Sequence, residues 1–118
     1  MAIWQRQLTP NIWLIGLQGR LDQGQTPLLE AELTRQLDEN GHFQLIIDLT
    51  EVTYINSGGL RCLVSGWRKA RQNSGDLILC GLSNRLQEIF VMVGFNKVFQ
   101  IVPNIAEAQA ILEEKRKT

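Results

Sequence analysis

Four residues near the middle of the chain, Asn56, Ser57, Gly58 and Gly59, have types and spacing that could do chemistry. They follow a dense apolar run that ends near Asp48 and precede an apolar stripe at helical spacing. The serine hydroxyl could be a nucleophile, part of a phosphate-binding loop, a modified side chain or a helix cap. Each of these roles makes a different demand on the rest of the sequence.

A nucleophilic serine lacks the partners that it would need. The nucleophile elbow of α/β-hydrolases has the pattern G-x-S-x-G, and its acid and histidine follow the serine along the chain. Gly59 fits the second glycine, but Ile55 stands where the first belongs. The one histidine, His42, precedes Ser57. The sequence therefore argues against a serine hydrolase.

The two phosphate-based alternatives are also poorly supported. The segment lacks the lysine of G-x-x-x-x-G-K-[ST] and does not match G-x-G-x-x-G, although free N–H groups at a helix N-terminus do attract anions. Asp48 resembles the phosphoacceptor of a receiver domain in position only. The "GLQG" segment supplies no acidic pair, and no lysine follows a strand in the required place. We expect Asp48 to be a structural carboxylate at a strand end.

A structural role for the segment explains only part of its composition. Either Asn56 or Ser57 has a side chain suited to capping the following helix. Each glycine in a helix costs roughly 0.5–1 kcal/mol relative to alanine. Two consecutive glycines in a first helical turn therefore predict a close backbone approach there, which a partner protein would supply.

Composition and charge exclude several classes of function. The chain has 118 residues, enough for one domain spanning 1–118, with twelve basic and twelve acidic residues. This balance gives no footprint for nucleic acid or anionic membrane. No apolar run is long enough to span a bilayer, and the N-terminus lacks the pattern of a signal peptide. Cys62 and Cys80 are not in a C-x-x-C spacing, so we expect reduced, buried thiols, a cytoplasmic protein, and no metal or cofactor.

The surrounding sequence predicts nine elements that would position the serine, in the order β-β-α-β-α-β-α-β-α. The predicted strands are Ile3 to Leu8, "IWLIGLQG", "FQLIIDL", "DLILCGL" and "VFQIV", with a hairpin between the first two. Alternating strands and helices imply parallel pairing with right-handed crossovers. The prediction is an α/β fold with a mixed, mostly parallel central sheet and about four helices.

The helices are predicted from caps and from apolar residues at helical spacing. Thr26 followed by Pro27 predicts the start of the first helix, and Asn40-Gly41 predicts its end. Asn104 with Glu107 resembles a capping box that opens the last helix. The residues predicted to face inward are Leu29, Leu33 and Leu37 in the first helix, Leu60, Leu63, Val64 and Trp67 in the second, Leu86, Ile89, Phe90 and Val93 in the third, and Ile105, Ala108, Ile111 and Leu112 in the last.

The sequence from "LIIDL" to "FQI", residues 45–101, resembles the STAS domain and, within it, the small anti-sigma factor antagonists. The family pattern has a strand ending in D-L, a spacer with an aromatic, and D-S-[SA]-G-L opening a helix. It also has a G-[ER]-[LI]-D segment, matched by Gly19-Arg20-Leu21-Asp22, and a later turn matched by Gly94-Phe95. Asn56 stands in place of the usual aspartate, and Gly58 in place of serine or alanine.

The resemblance implies a phosphorylation switch in a protein that is not itself an enzyme. The family serine, here Ser57, is phosphorylated by an anti-sigma factor that is also a GHKL-type serine kinase, and a PPM-type phosphatase resets it. The unphosphorylated form binds the anti-sigma factor and frees a sigma factor. The implied partner-binding residues are Asp22, Asn56, Ser57, Gly58, Gly59 and Leu60, in a monomer or weak homodimer.

Two alternatives remain open from the sequence. The chain could be a STAS scaffold or regulatory subunit that docks on a partner without phosphorylation, or it could bind a small ligand or nucleotide at the same loop. Asp22 fits either a partner contact or a turn residue. Trp67 is expected in the core, whereas Trp4 and Trp13 are left unassigned.

Overall fold

The computed structural model describes residues 2–117, with the side chains of 116 and 117 left undescribed, and it confirms the predicted order of elements. The strands are β1 Ala2–Thr9, β2 Ile12–Leu21, β3 Gln44–Ile55, β4 Asp76–Cys80 and β5 Ile101–Val102. The helices are α1 Thr26–Thr34, α2 Ser57–Gln72, α3 Asn84–Met92 and α4 Ile105–Lys117. A π-helical turn, Arg35–Glu39, extends α1, and a 3₁₀ turn, Phe95–Lys97, follows α3.

All five strands form one sheet in the order β1-β2-β3-β4-β5. The β1–β2 hairpin is antiparallel, and the other three pairs are parallel, which confirms the mixed, mostly parallel sheet. In a parallel sheet the carboxyl ends of the strands lie along one edge. The loops that follow β2 and β3 are therefore neighbours at that edge.

The alternation of side chains along the strands builds one core on each face of the sheet. On one face, β2, β3 and β4 pack against α1, α2 and α3 through a large cluster that includes Ile15, Leu45, Ile47, Leu77, Leu33, Leu63 and Phe90. On the other face, α4 covers a smaller cluster of Ile12, Leu14, Ile46, Ile78, Cys80, Ala108 and Leu112. The first halves of β2 and β3 and most of β4 are apolar on both sides because both faces of the sheet are covered there, whereas β1 is mostly exposed.

Strand β3 is longer than predicted. The predicted run ended at Leu49, but β3 continues to Ile55 and pairs with the second half of β2 as far as Leu21. In this extension only Val52 and Ile55 are buried, three residues apart, which matches neither an apolar run nor the strict alternation of a half-buried strand. Asp48 therefore lies inside the strand, where its Oδ1 accepts bonds from the backbone N–H and the hydroxyl of Thr50.

Two predicted features of the helices are wrong. Thr26 does not cap α1: the cap position is Gln25, and the Thr26 hydroxyl instead donates to the carbonyl oxygen of Asp22 at 3.0 Å. Val93 does not face inward, because α3 ends at Met92 and Val93 is 47% exposed. The predicted cap of α4 is confirmed by a bond from the Glu107 N–H to Asn104 Oδ1 at 2.9 Å.

Aromatic residues close the core beside α2 and α3. Strand β5 has only two residues, so most of the predicted "VFQIV" strand forms a turn that places Phe99 in the core. Phe99 makes edge-on ring contacts with Trp67, Phe90 and Phe95, with centroids 6.0–6.3 Å apart. Trp67 packs against the larger cluster, which confirms its predicted place in the core.

Candidate partner-binding site

Ser57 is the first residue of α2 and lies just beyond the carboxyl end of β3. Its side chain is exposed. Among residues 2–117, no hydrogen bond is formed by the Ser57 hydroxyl. A group-transfer enzyme or a partner surface can therefore reach this hydroxyl without opening the fold.

Asn56, and not Ser57, caps α2. Its backbone is extended, with φ −97° and ψ −179°, and its Oδ1 accepts the N–H of Gly59 at 2.9 Å. The Asn56 carbonyl accepts the first helical bond, from the N–H of Leu60 at 3.0 Å. This cap leaves Ser57 with helical geometry and an unengaged hydroxyl, at the end of the helix that favours negative charge.

The glycine pair has a different explanation at each position. A Cβ on Gly59 would lie 2.8–2.9 Å from side-chain carbons of Leu21 and Ile55, so α2 approaches the ends of β2 and β3 too closely for any side chain. A Cβ on Gly58 would lie 3.4 Å from Asn56 Oδ1 and from Thr26 Oγ1, which is ordinary contact. The close approach predicted at the pair is therefore made inside the protein, by Gly59 alone.

Asp22 lies beside the serine turn, which is formed by residues Asn56–Gly59. Leu21 and Ile55 are register partners, and the Asn56 N–H donates to the Leu21 carbonyl at 3.1 Å. Asp22 and Asn56 are therefore equivalent positions at the ends of neighbouring parallel strands. The Asp22 carbonyl accepts bonds from the N–H groups of Gln25 and Thr26, both at 3.0 Å, which fixes the turn into α1. The backbone of Asp22 thus has a turn role, while its half-buried carboxylate lies at the edge that Ser57 occupies.

Arg20 and Tyr54 hold the two strand ends together. They are register partners one residue before Leu21 and Ile55, and the Arg20 guanidinium lies 4.3 Å from the Tyr54 ring centroid. A cation–π contact at an exposed position contributes about 0.5–1 kcal/mol. This pair links the "GRLD" segment to the serine turn directly before the two loops begin.

Leu60 and Gly59 are buried, unlike the other predicted partner-binding residues, and of the two only Leu60 has a side chain. Its side chain is 6% exposed and belongs to the larger core cluster. A partner on this surface would meet the backbone of the first helical turn and the side chains around it. The Leu60 side chain anchors that turn to the core.

A groove of about 550 Å³ between α1 and α2 opens next to the serine turn. Thr26, Gly58 and Arg61 lie at its serine end, and Cys62 lies further along it. Burial raises the pKa of the Cys62 thiol, Glu30 raises it further, and Arg61 opposes the shift. The sequence reasoning did not single out Thr26 or Arg61 for this site. The spacing of four residues between Ser57 and Arg61 would have placed Arg61 on the same face of the predicted helix, one turn after the serine.

The family model described as the STAS domain matches residues 4–108. The chain belongs to the STAS domain family, as the resemblance indicated.

Three known proteins illustrate the relationship. BtrV of Bordetella bronchiseptica, named as an anti-sigma factor antagonist, is 37% identical over 94 residues, which cover 80% of this chain and 79% of BtrV. The structure of an anti-sigma factor antagonist from Thermotoga maritima superposes with a TM-score of 0.84 at 14% identity, covering 91% of this chain and 92% of that one. Bacillus SpoIIAA in its phosphorylated form superposes with a TM-score of 0.74 at 18% identity, covering 92% and 97%.

Within 2–117, no group of three or more histidine, cysteine, aspartate or glutamate side chains is arranged to hold a metal ion. None of the helices in the same range is long and apolar enough to cross a membrane. Both cysteines are free thiols; Cys80 is buried and Cys62 half-buried.

Proposed function

We propose that this chain is an anti-sigma factor antagonist whose binding is switched off by phosphorylation of Ser57. The observation that carries the proposal is the position of Ser57: an exposed hydroxyl at the first residue of a capped helix, beside Asp22 at the same sheet edge. The name of BtrV, a relative over most of the chain, supports the same assignment. The chain acts in this scheme as a substrate and a binding module, not as an enzyme.

The fold should tolerate the phosphate, whereas a docked partner should not. A phosphoserine brings about −1.5 to −2 charges at neutral pH. At the N-terminus of α2 the helix dipole and free N–H groups favour that charge. An interface covering Ser57 would instead take this dianionic group out of water, and the effective desolvation penalty is several kcal/mol per ion. A loss of about 2.8 kcal/mol already weakens binding a hundredfold.

The proposed partner is an anti-sigma factor that is also a GHKL-type serine kinase. It would contact the surface formed by Asp22, Asn56, Ser57 and Gly58, with the backbone at Gly59 and Leu60 beneath. A PPM-type phosphatase would remove the phosphate and restore binding. The chain would meet these partners as a monomer or a weak homodimer.

The test is the affinity of Ser57 variants for the anti-sigma factor, measured by calorimetry. We expect Ser57→Asp to weaken binding by a hundredfold or more and Ser57→Ala to bind constitutively, including in the presence of ATP. Ser74→Asp is the matched control, because it adds the same charge to an exposed serine beyond the opposite end of α2. Equal binding by wild type, Ser57→Asp and Ser57→Ala would refute the switch and indicate a scaffold that docks without phosphorylation.

A further inference from the structure

Arg61 lies one helical turn after Ser57 and lines the groove between α1 and α2. We propose that Arg61 binds the phosphoryl group of phosphorylated Ser57, so that the modified chain carries its own counter-charge. The inference rests on the proposed function, because it concerns the phosphorylated state of the same serine. It assigns a positioning role to a residue outside the family motif quoted above.

Helix geometry brings the two side chains together. Residues four apart on a helix have Cβ atoms about 5–6 Å apart, and an acidic group N-terminal to a basic one is the favourable orientation. A guanidinium presents a planar fork of N–H donors that matches two phosphate oxygens. Both side chains are exposed, so neither must leave a packed position to form the pair.

Arg61 is also available for this contact. Further along α2, Lys69 forms an ion pair with Asp38. Arg71 forms another, with its Nη1 atom 3.6 Å from Asp76 Oδ2. Within the described part of the chain, Arg61 takes part in no such ion pair. The cation one turn from the serine is therefore not committed to another carboxylate.

The other charges around the serine turn do not supply an equivalent partner. Asp22, after β2, and Glu30, on α1, are acidic and would repel a phosphate. Arg20 is basic, but its guanidinium stacks on Tyr54. Asn56 is neutral and caps the helix without adding a negative charge beside the serine. Of the charged groups on these elements, Arg61 is thus the one placed to offset the phosphate.

The test uses phosphoserine installed at position 57 during synthesis of the full chain, so that neither kinase nor partner is needed. The second pKa of the phosphate is measured by ³¹P NMR titration in wild type, Arg61→Gln and Arg68→Gln. Arg68 is the matched control: it lines the same groove, but it is eleven residues from Ser57, about 16 Å along the axis. That distance exceeds the screening length of about 8 Å at physiological salt.

We expect the phosphate pKa to rise by about 0.3 unit or more in Arg61→Gln, because loss of the cation disfavours the dianion. Arg68→Gln should match wild type, and 1 M salt should reduce the difference seen with Arg61→Gln. The same pKa in wild type and Arg61→Gln, or an equal shift in Arg68→Gln, would overturn the proposal. These results are separate from partner binding, so failure of Arg61 as a phosphate ligand and failure of the switch are distinguishable.

Discussion

The two adjacent glycines of the serine turn should respond in opposite ways to the same substitution. In Gly59→Ala the new methyl group meets Leu21 and Ile55 at 2.8–2.9 Å, inside a packed core. Overpacking of this kind costs about 1–3 kcal/mol. In Gly58→Ala the methyl group meets its nearest neighbours at 3.4 Å, and alanine improves helix propensity and restricts the unfolded chain. We expect a gain of about 0.4–1 kcal/mol there.

Urea unfolding followed by circular dichroism measures both free energies of unfolding, and each variant is the control for the other. The two variants share the same helix turn and the same chemical change. The gain from replacing a helical glycine by alanine is common to both variants and cancels, so their unfolding free energies should differ by the overpacking cost of about 1–3 kcal/mol, with Gly58→Ala the more stable. Equal stabilities, or a less stable Gly58→Ala, would refute the assignment of the close approach to Gly59.

Three further predictions concern the supports of the site. Asn56→Ala should cost about 1 kcal/mol of unfolding free energy, because it removes the side chain that caps α2. Asn104→Ala, which removes the corresponding cap of α4, should cost a similar amount in the same urea assay. An Asn56→Ala variant as stable as wild type would contradict the assignment of Asn56 as the cap. Gly81→Ala should cost at least about 1 kcal/mol more unfolding free energy than Gly94→Ala. Both glycines have φ near +77°, so both variants carry the same backbone strain, but a methyl group at position 81 would overlap Thr50 whereas a methyl group at position 94 would contact no neighbouring atom. Thermal melts should show the lower melting temperature for Gly81→Ala, and equal melting temperatures would count against the clash. Burial and the Asp48 carboxylate raise the pKa of the Cys80 thiol from 9.0 to about 12, so above pH 9.0 the unfolded thiol ionises before the folded one. The stability advantage of wild type over Cys80→Ala should therefore shrink as the pH rises toward 12. A difference in unfolding free energy that stays constant over this range would disprove the raised pKa.

The order of elements could be predicted from the sequence because apolar periodicity and chain breakers agree over most of the chain. The stripe of α2 and the buried run of β3 are both long and regular, and both were predicted in the right place. The second half of β3 was missed because only Val52 and Ile55 are buried in it, and because its pairing with β2 is not visible locally. Thr26 was misassigned because a hydroxyl beside proline resembles a cap, whereas its real acceptor is the Asp22 carbonyl four residues earlier.

The position of the candidate site in the fold could be predicted in part, while the roles of its residues stay predictions. Asn56, Ser57 and Asp22 were singled out, and the sheet register brings their loops together at one edge. The reason for Gly59 could not be found in the sequence, because the close approach is to Leu21, which is distant along the chain. The groove could not be found either, since it depends on how α1 packs against α2. The nearness of Arg61 to Ser57 could have been found from their spacing on the predicted helix alone.

The most direct test of the switch is the intact mass of the protein purified from the cells that make it, with the modified residue located by fragmentation. The account predicts a fraction carrying one phosphate, on Ser57, that changes with growth and stress conditions. It also predicts that a co-purifying GHKL-type kinase adds this phosphate to the wild-type protein in vitro. Phosphate incorporation into Ser57→Ala should not exceed the background of the assay. Protein that stays unmodified in every condition, and that the kinase fails to label, would contradict the central claim.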